Sequence, residues 1–459
     1  MIERTLSQIA RMLGASVKNR PSDDDPMIRG VSTDSRDIAP GNLYIPLKGA
    51  RADGHDFIAQ VKQAHAAAAL WDISRIPYPN FIPLILVKDT LQAMQDLARA
   101  YLAEIHPLTV GITGSNGKTS TKDMAAAILS EKFRTIKTQG NHNNEIGLPL
   151  TVFDISEDTQ AAVLEMGMEN YGEIDFLCSI APLDIAAIVS IGSAHMENFG
   201  SQTNIARAKC EILDGLHGHG TFIYDGASPE LRTVLNEKEI PESVHQISFD
   251  ANPDADTAIH LTGNIVYRNN GIEFPVNVFD RNVFVPAAGR HQASNALCAI
   301  AIGLAAGLDE DQILDGLAKT RLTKMRSRLY PLGKGTILDD SYKSNPESAK
   351  AGIDTLMEIP AEKHIAVMAG MLDLGPSEKE LHEETGRYAL RKGVDELFTY
   401  GDLARAIGEG FDENAVHFDD KKELTEALRP YFETDCAVLI KGSRAFKMDE
   451  IVSALLEGK

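Results

Sequence analysis

The residues of this chain best suited to chemistry begin at Thr113 and end at Thr119, in the run TGSNGKT. A short apolar stretch with Val110 and Ile112 comes before it, and DMAAAIL, with helical character, comes after. Strand, glycine turn and helix in that order make an anion cradle. The first N–H groups of a helix have no partner within it, and glycine lets backbone close on phosphate oxygens. Gly114, Ser115, Asn116 and Gly117 would form the turn. Lys118 would reach the β- and γ-phosphates of ATP, and the Thr119 hydroxyl would face Mg²⁺. The spacing departs from G-x-x-x-x-G-K-[ST], because position 112 is Ile rather than glycine. The strand before and the helix after still read as an ATP-binding loop.

Other polar residues fall just past apolar runs. AAVLEMG puts Glu165 at a strand end, and IAAIVSIGSAH puts His195 a few residues past another. A carboxylate and an imidazole beside the loop could hold Mg²⁺, although that ion prefers oxygen ligands. The stretch from Thr138 to Gly147, with Asn141, Asn143 and Asn144, could donate to phosphates or to an acyl group, or be a well-capped turn. Lys209 stands on a helix (NIARAKCEIL), where a bare lysine is ordinarily solvated surface. Asp340 ends TILDD, a place from which a carboxylate can bond a ribose hydroxyl. Lys441 and Arg444, in KGSR, follow the strand AVLI and open a helix, so they could receive a carboxylate. Asp34-Ser35-Arg36 reads locally as an ordinary turn.

Positioning these residues takes a sheet. From 109 the chain alternates strand and helix through VGIT, FRTIKT, AAVLEMG, IAAIVSIG and TFIYDG. That alternation predicts a parallel, doubly wound α/β sheet with ligands at the carboxyl ends of its strands. Before it, residues 2–14 show helical spacing and Asn19 to Asp25 form a polar loop. A strand-like LYIPL is followed by a helix with Phe57, Ile58 and Val61 on one face, and a further helix runs from Asp89 to Ile105. His106-Pro107 breaks that helix and marks a domain boundary. An antiparallel excursion lies between Ile259 and Val285, with Asn269-Asn270-Gly271 as its turn. Gly289 then leads into an apolar helix containing Asn295. A third α/β unit, with mostly parallel strands, holds GTILDDSY, HIAVMAGML, ELFTYG and AVLIKGS. The expected division is 1–106, 107–320 and 321–459.

At 459 residues the chain has room for two to four domains. Its net charge of −21 argues against a nucleic-acid partner, which would want a basic face. The N-terminal stretch lacks the apolar core of a secretory signal, and Ala293 to Leu308 is too short and interrupted to span a bilayer. Cys178, Cys210, Cys298 and Cys436 are scattered, as expected of reduced thiols in a cytoplasmic protein with no membrane insertion.

TGSNGKTSTK, TQGNHNNEIGLPLT, EMG, SAHMENFG, ARAKCEIL, GRHQASNALCA, DDSYKSNPES and KGSRAFKM occur in the order seen in the Mur ligases, and the whole chain resembles that family. The resemblance implies three domains: a small α/β substrate domain, a central P-loop ATPase-like domain and a C-terminal Rossmann-like domain. DDSY-x-x-NP and KGSR resemble the branch that joins D-alanyl-D-alanine to UDP-N-acetylmuramoyl-tripeptide through an acyl phosphate, the last cytoplasmic step of peptidoglycan precursor synthesis. The alternative is the sister branch that adds a diamino acid at the preceding step. By the same resemblance, Thr113 to Thr119 hold ATP, with Asn295 at the adenine, Arg326 at a phosphate and Asp340 at the ribose. Thr119, Glu165 and His195 hold Mg²⁺. Lys209 matches a lysine that relatives carry as a carbamate, a ligand for a second Mg²⁺. Asn141, Asn143 and Asn144 line the acyl-acceptor side, while Ser35, Arg36, Ala50 and Arg51 hold the UDP-muramoyl substrate. A monomer is expected. Family members usually have Asn where Lys343 stands.

Overall fold

The structure is a computed structural model that describes residues 1–20, 25–49, 52–268, 270–412 and 414–457. Ala50, Arg51 and Asn269 therefore lie outside the described residues.

The first residues extend before they coil. β1 (Glu3–Thr5) pairs antiparallel with β3 (Met27–Arg29), and only then does α1 (Leu6–Met12) start. This corrects the single helix expected over 2–14: Thr5 takes extended backbone and caps α1 in a capping box with Gln8. β2 (Ser16–Lys18), β4 (Val31–Ser32), β5 (Leu43–Tyr44), β6 (Ala68–Asp72) and β7 (Leu84–Val87) form a sheet in the order β2-β7-β6-β5-β4. α2 (Ile58–Gln63) covers it with Ile58 and Val61, whereas Phe57 is exposed, contrary to the expected shared face. α3 (Thr90–Ile105) is capped by Asp89 and ends at His106 in left-handed backbone. Tyr101 and Leu97 of α3 join a core that continues through Phe153 and Leu177, so the N-terminal unit is packed onto the next one.

The central sheet, among the described residues, has the order β14-β13-β12-β11-β8-β10-β9 with every pairing parallel. Its strands are β8 (Leu108–Thr113), β9 (Thr135–Lys137), β10 (Ala161–Glu165), β11 (Ile185–Ile188), β12 (Gly220–Asp225), β13 (Val244–Asp250) and β14 (Ile259–His260). The strand order reverses at β8, flanked by β10 and β11, which makes the crevice at its carboxyl end the expected ligand position. The helices are α4 (Lys118–Leu129), α5 (Gly147–Phe153), α6 (Glu173–Ile180), α7 (Met196–Phe199), α8 (Gln202–Lys209) and α9 (Pro229–Glu237). A three-stranded antiparallel sheet follows, from β15 (Val266–Arg268), β16 (Gly271–Phe274) and β17 (Val283–Val285). α10 (His291–Ala305) is buried along most of its length against α4 and the sheet, and α11 (Glu310–Ala318) closes the unit.

The last sheet has the order β18-β19-β23-β20-β21-β22. Its strands are β18 (Arg328–Leu332), β19 (Gly335–Asp340), β20 (Lys363–Ala369), β21 (Glu396–Tyr400), β22 (Ala415–Phe418) and β23 (Cys436–Lys441), antiparallel only at β18. α12 (Pro346–Glu358), α13 (Glu378–Lys392), α14 (Arg405–Phe411), α15 (Lys421–Leu428) and α16 (Asp449–Glu457) flank it. KGSR does not open a helix directly. It enters a 3₁₀ turn over Arg444–Phe446 before α16, and the Ser443 N–H is taken by the Gly370 carbonyl.

Candidate active site

A cavity of about 1250 Å³ lies where the carboxyl ends of the central strands meet the C-terminal sheet. Ser115 to Thr119 line it, while Thr113 and Gly114 are buried and do not. The loop is held from β11: Ser115 N–H donates to the Ser190 carbonyl, and Asn116 N–H donates to Ser190 Oγ at 3.0 Å. Gly117, at φ +81°, is the N-cap of α4, and a Cβ there would stand 2.2 Å from Asn295 Oδ1. Asn295 is thereby pressed against the loop from α10, and its amide donates to Gln292 at 3.0 Å. Lys118 curls back to donate to the Gly114 carbonyl at 2.6 Å. Burial lowers the Lys118 ammonium to about 8; Glu165 opposes the shift and Lys343 and Arg326 add to it.

Glu165 closes β10 and is buried. One of its oxygens accepts from Thr119 Oγ1 and the other from Asn143 Nδ2, both at 2.9 Å. The asparagine loop is therefore part of the site: Asn141, Asn143 and Asn144 all line the cavity, and Asn143 also accepts from Gly167 N–H at 2.8 Å. His195 lines it as well, in left-handed backbone at the start of α7. Its imidazolium is disfavoured, to about 4, by burial and then by the charges of Lys343, Lys118 and Lys209. Lys209 corrects the solvated-surface reading: it is 3% exposed at the end of α8. Burial, Lys118 and Lys343 together push its ammonium well below the usual lysine range. A buried lysine whose ammonium is disfavoured in this way is not a surface charge.

Arg326 reaches the loop from the segment before β18. It stacks 4.0 Å over the Tyr342 ring and donates to Thr119 Oγ1 at 3.3 Å. Met325 and Ser327 on either side both have positive φ, a strained arrangement costing on the order of 1–3 kcal/mol per residue and kept only where contacts enforce it. One such contact is Asp123, missed in the sequence. On α4, it accepts from Thr323 N–H and hydroxyl and from Lys137 at 2.6 Å, pinning the approach to Arg326. Ser190 was also missed, though its place just past β11 was a usable signal.

Asp340 lines the cavity with one carboxylate oxygen near Ser327 N–H at 3.2 Å. Burial works to raise it, but the Lys441 ammonium beside it outweighs this and, with His291 and Arg326, leaves the carboxyl below its usual range. Lys441 is thus not a free ammonium for an incoming carboxylate: it is 1% exposed and donates to Asp340 and, at 2.9 Å, to the Lys343 carbonyl. Arg444 stands outside the cavity lining, paired with Asp449 and half exposed. Ser35 and Arg36 also lie apart from it. Arg36 is 83% exposed and forks onto Asp34, whose carboxyl is held at about 2.

Three family models match in chain order: the Mur ligase family catalytic domain over 27–102, the Mur ligase middle domain over 112–303 and the Mur ligase glutamate ligase domain over 325–444. The UDP-N-acetylmuramoyl-tripeptide--D-alanyl-D-alanine ligase of Bacillus subtilis is 39% identical, covering 100% of this chain and 99% of that one. The chain belongs to the Mur ligase family. Its fold superimposes on MurF from Acinetobacter baumannii with a TM-score of 0.88 at 28% identity, over 100% of this chain and 99% of that one. MurF from Thermotoga maritima, solved in complex with ADP, gives 0.81 at 27% identity, over 93% and 97%. In this Mur ligase the three-domain α/β architecture expected from the sequence is the one observed. Among the described residues no helix is long and apolar enough to cross a membrane.

Proposed function

We propose that this Mur ligase joins D-alanyl-D-alanine to UDP-N-acetylmuramoyl-tripeptide at the expense of ATP, in the cytoplasm and as a monomer. The observation that carries the reading is end-to-end similarity to a ligase of that name, together with a nucleotide loop opening into a cavity shared with the C-terminal sheet. The tripeptide carboxylate attacks the γ-phosphate, giving an acyl phosphate and ADP. The dipeptide amine then attacks the acyl carbon and phosphate leaves.

Phosphoryl transfer asks the protein mainly for position and charge neutralisation. Lys118 and the α4 N-terminus supply the second, Asn116 and Gly117 the close backbone. Asn295 would face adenine and Asp340 the ribose, with Lys441 holding that carboxylate ionised. Arg326 would neutralise a phosphate. Asn141, Asn143 and Asn144 would order the acyl side, and Arg444 the dipeptide carboxylate. The UDP-muramoyl end would extend toward Ser35 and Arg36.

Among the described residues no group of three or more His, Cys, Asp or Glu side chains forms a metal cage. Mg²⁺ binding with nucleotides ordinarily uses one or two protein oxygens beside water and phosphate. Thr119 and Glu165, already in contact, would hold it, and the ion would neutralise charge developing between β- and γ-oxygens. A second ion would need His195 and a Lys209 carbamate; an amine alone does not fit it. Purified protein given ATP, Mg²⁺, the UDP-tripeptide and D-alanyl-D-alanine should release phosphate, and omission of either acceptor or donor should stop it. Phosphate release with a free diamino acid on the dipeptide precursor would overturn the reading.

A further inference from the structure

Lys343 is unusual in its surroundings. It sits in the turn between β19 and α12, and its backbone is fixed on both sides. Its own carbonyl accepts from Lys441 Nζ at 2.9 Å, the Ser344 carbonyl accepts from Ser443 Oγ at 3.4 Å, and Asn345 both caps α12 and donates to Asn116 Oδ1 at 3.1 Å. With the backbone so anchored, the partly exposed residue lines the cavity. Among the described residues no carboxylate lies within ion-pair distance of it; Asp373 and Glu169 act on it only from further away. Its charge is felt by Lys118, Lys209 and His195, each of which it disfavours as a cation.

Lys118, Lys343 and Arg326 line one cavity together with Thr119 and Glu165, the buried acid, while Lys209 is buried outside that lining and still feels Lys118 and Lys343. Like charges gathered around one cavity disfavour one another, and a polyanion entering among them relieves that repulsion. ADP and ATP differ there by one phosphoryl group. We propose that Lys343 is a further phosphate-contacting residue, an ammonium carried by the C-terminal sheet that holds the transferring phosphoryl group together with Lys118. The assignment rests on the reading of this cavity as the site of phosphoryl transfer. Because the lysine comes from one sheet and the nucleotide loop from another, the contact also couples their docking to the presence of the γ-phosphate. A cation brought in from outside the nucleotide loop plays the part an arginine finger plays in other phosphoryl-transfer enzymes.

The test is a comparison of two nucleotides by calorimetry with Mg²⁺ present: ADP and the non-hydrolysable β,γ-methylene analogue of ATP. Lys343→Gln should weaken the analogue by about 10-fold or more and ADP by less than about 2-fold, the pattern of one lost charge-assisted bond to the terminal phosphate. Lys343→Arg, which keeps the charge, should stay within about 3-fold of the parent for both and covers the case in which Lys343→Gln folds poorly. Equal weakening of both nucleotides, or weakening of the UDP-tripeptide alone, would overturn the assignment. Parent protein that binds neither nucleotide would overturn the reading of the cavity and this assignment with it. Nucleotide binding left unchanged by Lys343→Gln would overturn the assignment only.

Discussion

Asp340 and Lys441 are register partners on adjacent parallel strands, β19 and β23, and their side chains close on each other at the cavity wall. Two strand ends separated by about a hundred residues of sequence thus deliver one ion pair, with the lysine wholly buried and the carboxylate nearly so. Removing one partner of a buried pair leaves the other uncompensated, at on the order of 3 kcal/mol. Lys441→Met should therefore lower the thermal midpoint of the C-terminal sheet and weaken ADP binding together. An unchanged midpoint in scanning calorimetry would show that the pair is not the brace described.

Arg444 should behave differently, because it is half exposed and its partner Asp449 sits on the same local segment. Arg444→Ala should raise KM for D-alanyl-D-alanine by about 10-fold, as expected for a charge-assisted hydrogen bond of roughly 1.5–3 kcal/mol. KM for ATP should hardly move. A drop in thermal stability with both KM values unchanged would make the arginine a clamp on Asp449 alone.

Lys118→Ala should cut turnover by on the order of 10²–10³ in single-turnover ADP formation, since in the proposed reaction the ammonium would face charge that builds during transfer. The Gly114 carbonyl, which now accepts from Lys118, stays on the loop, so the variant should keep the parental fold by circular dichroism. Near-parental turnover would remove this lysine from the chemistry.

Lys209→Ala should be close to inactive. A lysine amine that has given up its ammonium proton can add carbon dioxide and, with loss of a further proton, become an anionic carbamate. Burial and the charges of Lys118 and Lys343 disfavour the ammonium, and the two cations favour the anion. Acetate, a small carboxylate, should restore part of the activity in a concentration-dependent way. Full activity of the alanine variant without any additive would sink the idea.

Asp225, at the end of β12, gives a pH prediction away from the chemistry. Burial raises its carboxyl to about 6, against the Ala227 N–H that bonds it and with help from Asp250. A carboxyl raised in the folded state favours folding below its unfolded pKa of about 4, and that contribution is lost as pH rises to about 6. Asp225→Asn should then gain about 1–2 kcal/mol over the parent at neutral pH and nothing near pH 4. Urea titrations of both proteins across that range would show it; a constant difference at all pH values would rule it out.

The central sheet could be read from sequence because β8, β10, β11 and β12 are apolar runs separated by helices, and the nucleotide loop sits where such sheets place ligands. β13 was missed because VHQISFD alternates, with most of its side chains only partly covered, and so lacks the continuous apolar run of its neighbours. β1 hid inside a helical spacing that its edge pairing with β3 overrides. Glu165 and His195 showed themselves by position past strand ends. Lys209 could not, because nothing in ARAKCEIL reveals that both faces of the end of α8 are covered. Lys441 was read as a free cation since its neutralising partner comes from sheet register, which a linear sequence does not display.

Two glycines on the cavity wall differ in what they permit. Gly172, at φ +82°, has open space where a side chain would go, so replacement there meets only backbone strain. Gly117 combines φ +81° with Asn295 at 2.2 Å and Val189 at 2.9 Å from the position of a Cβ, so any other residue adds backbone strain and must push aside both side chains. An inhibitor that leans on Gly117 therefore rests on a surface that point mutation should remodel only at a cost to the loop's own geometry. One that leans on Gly172 leaves an escape route open.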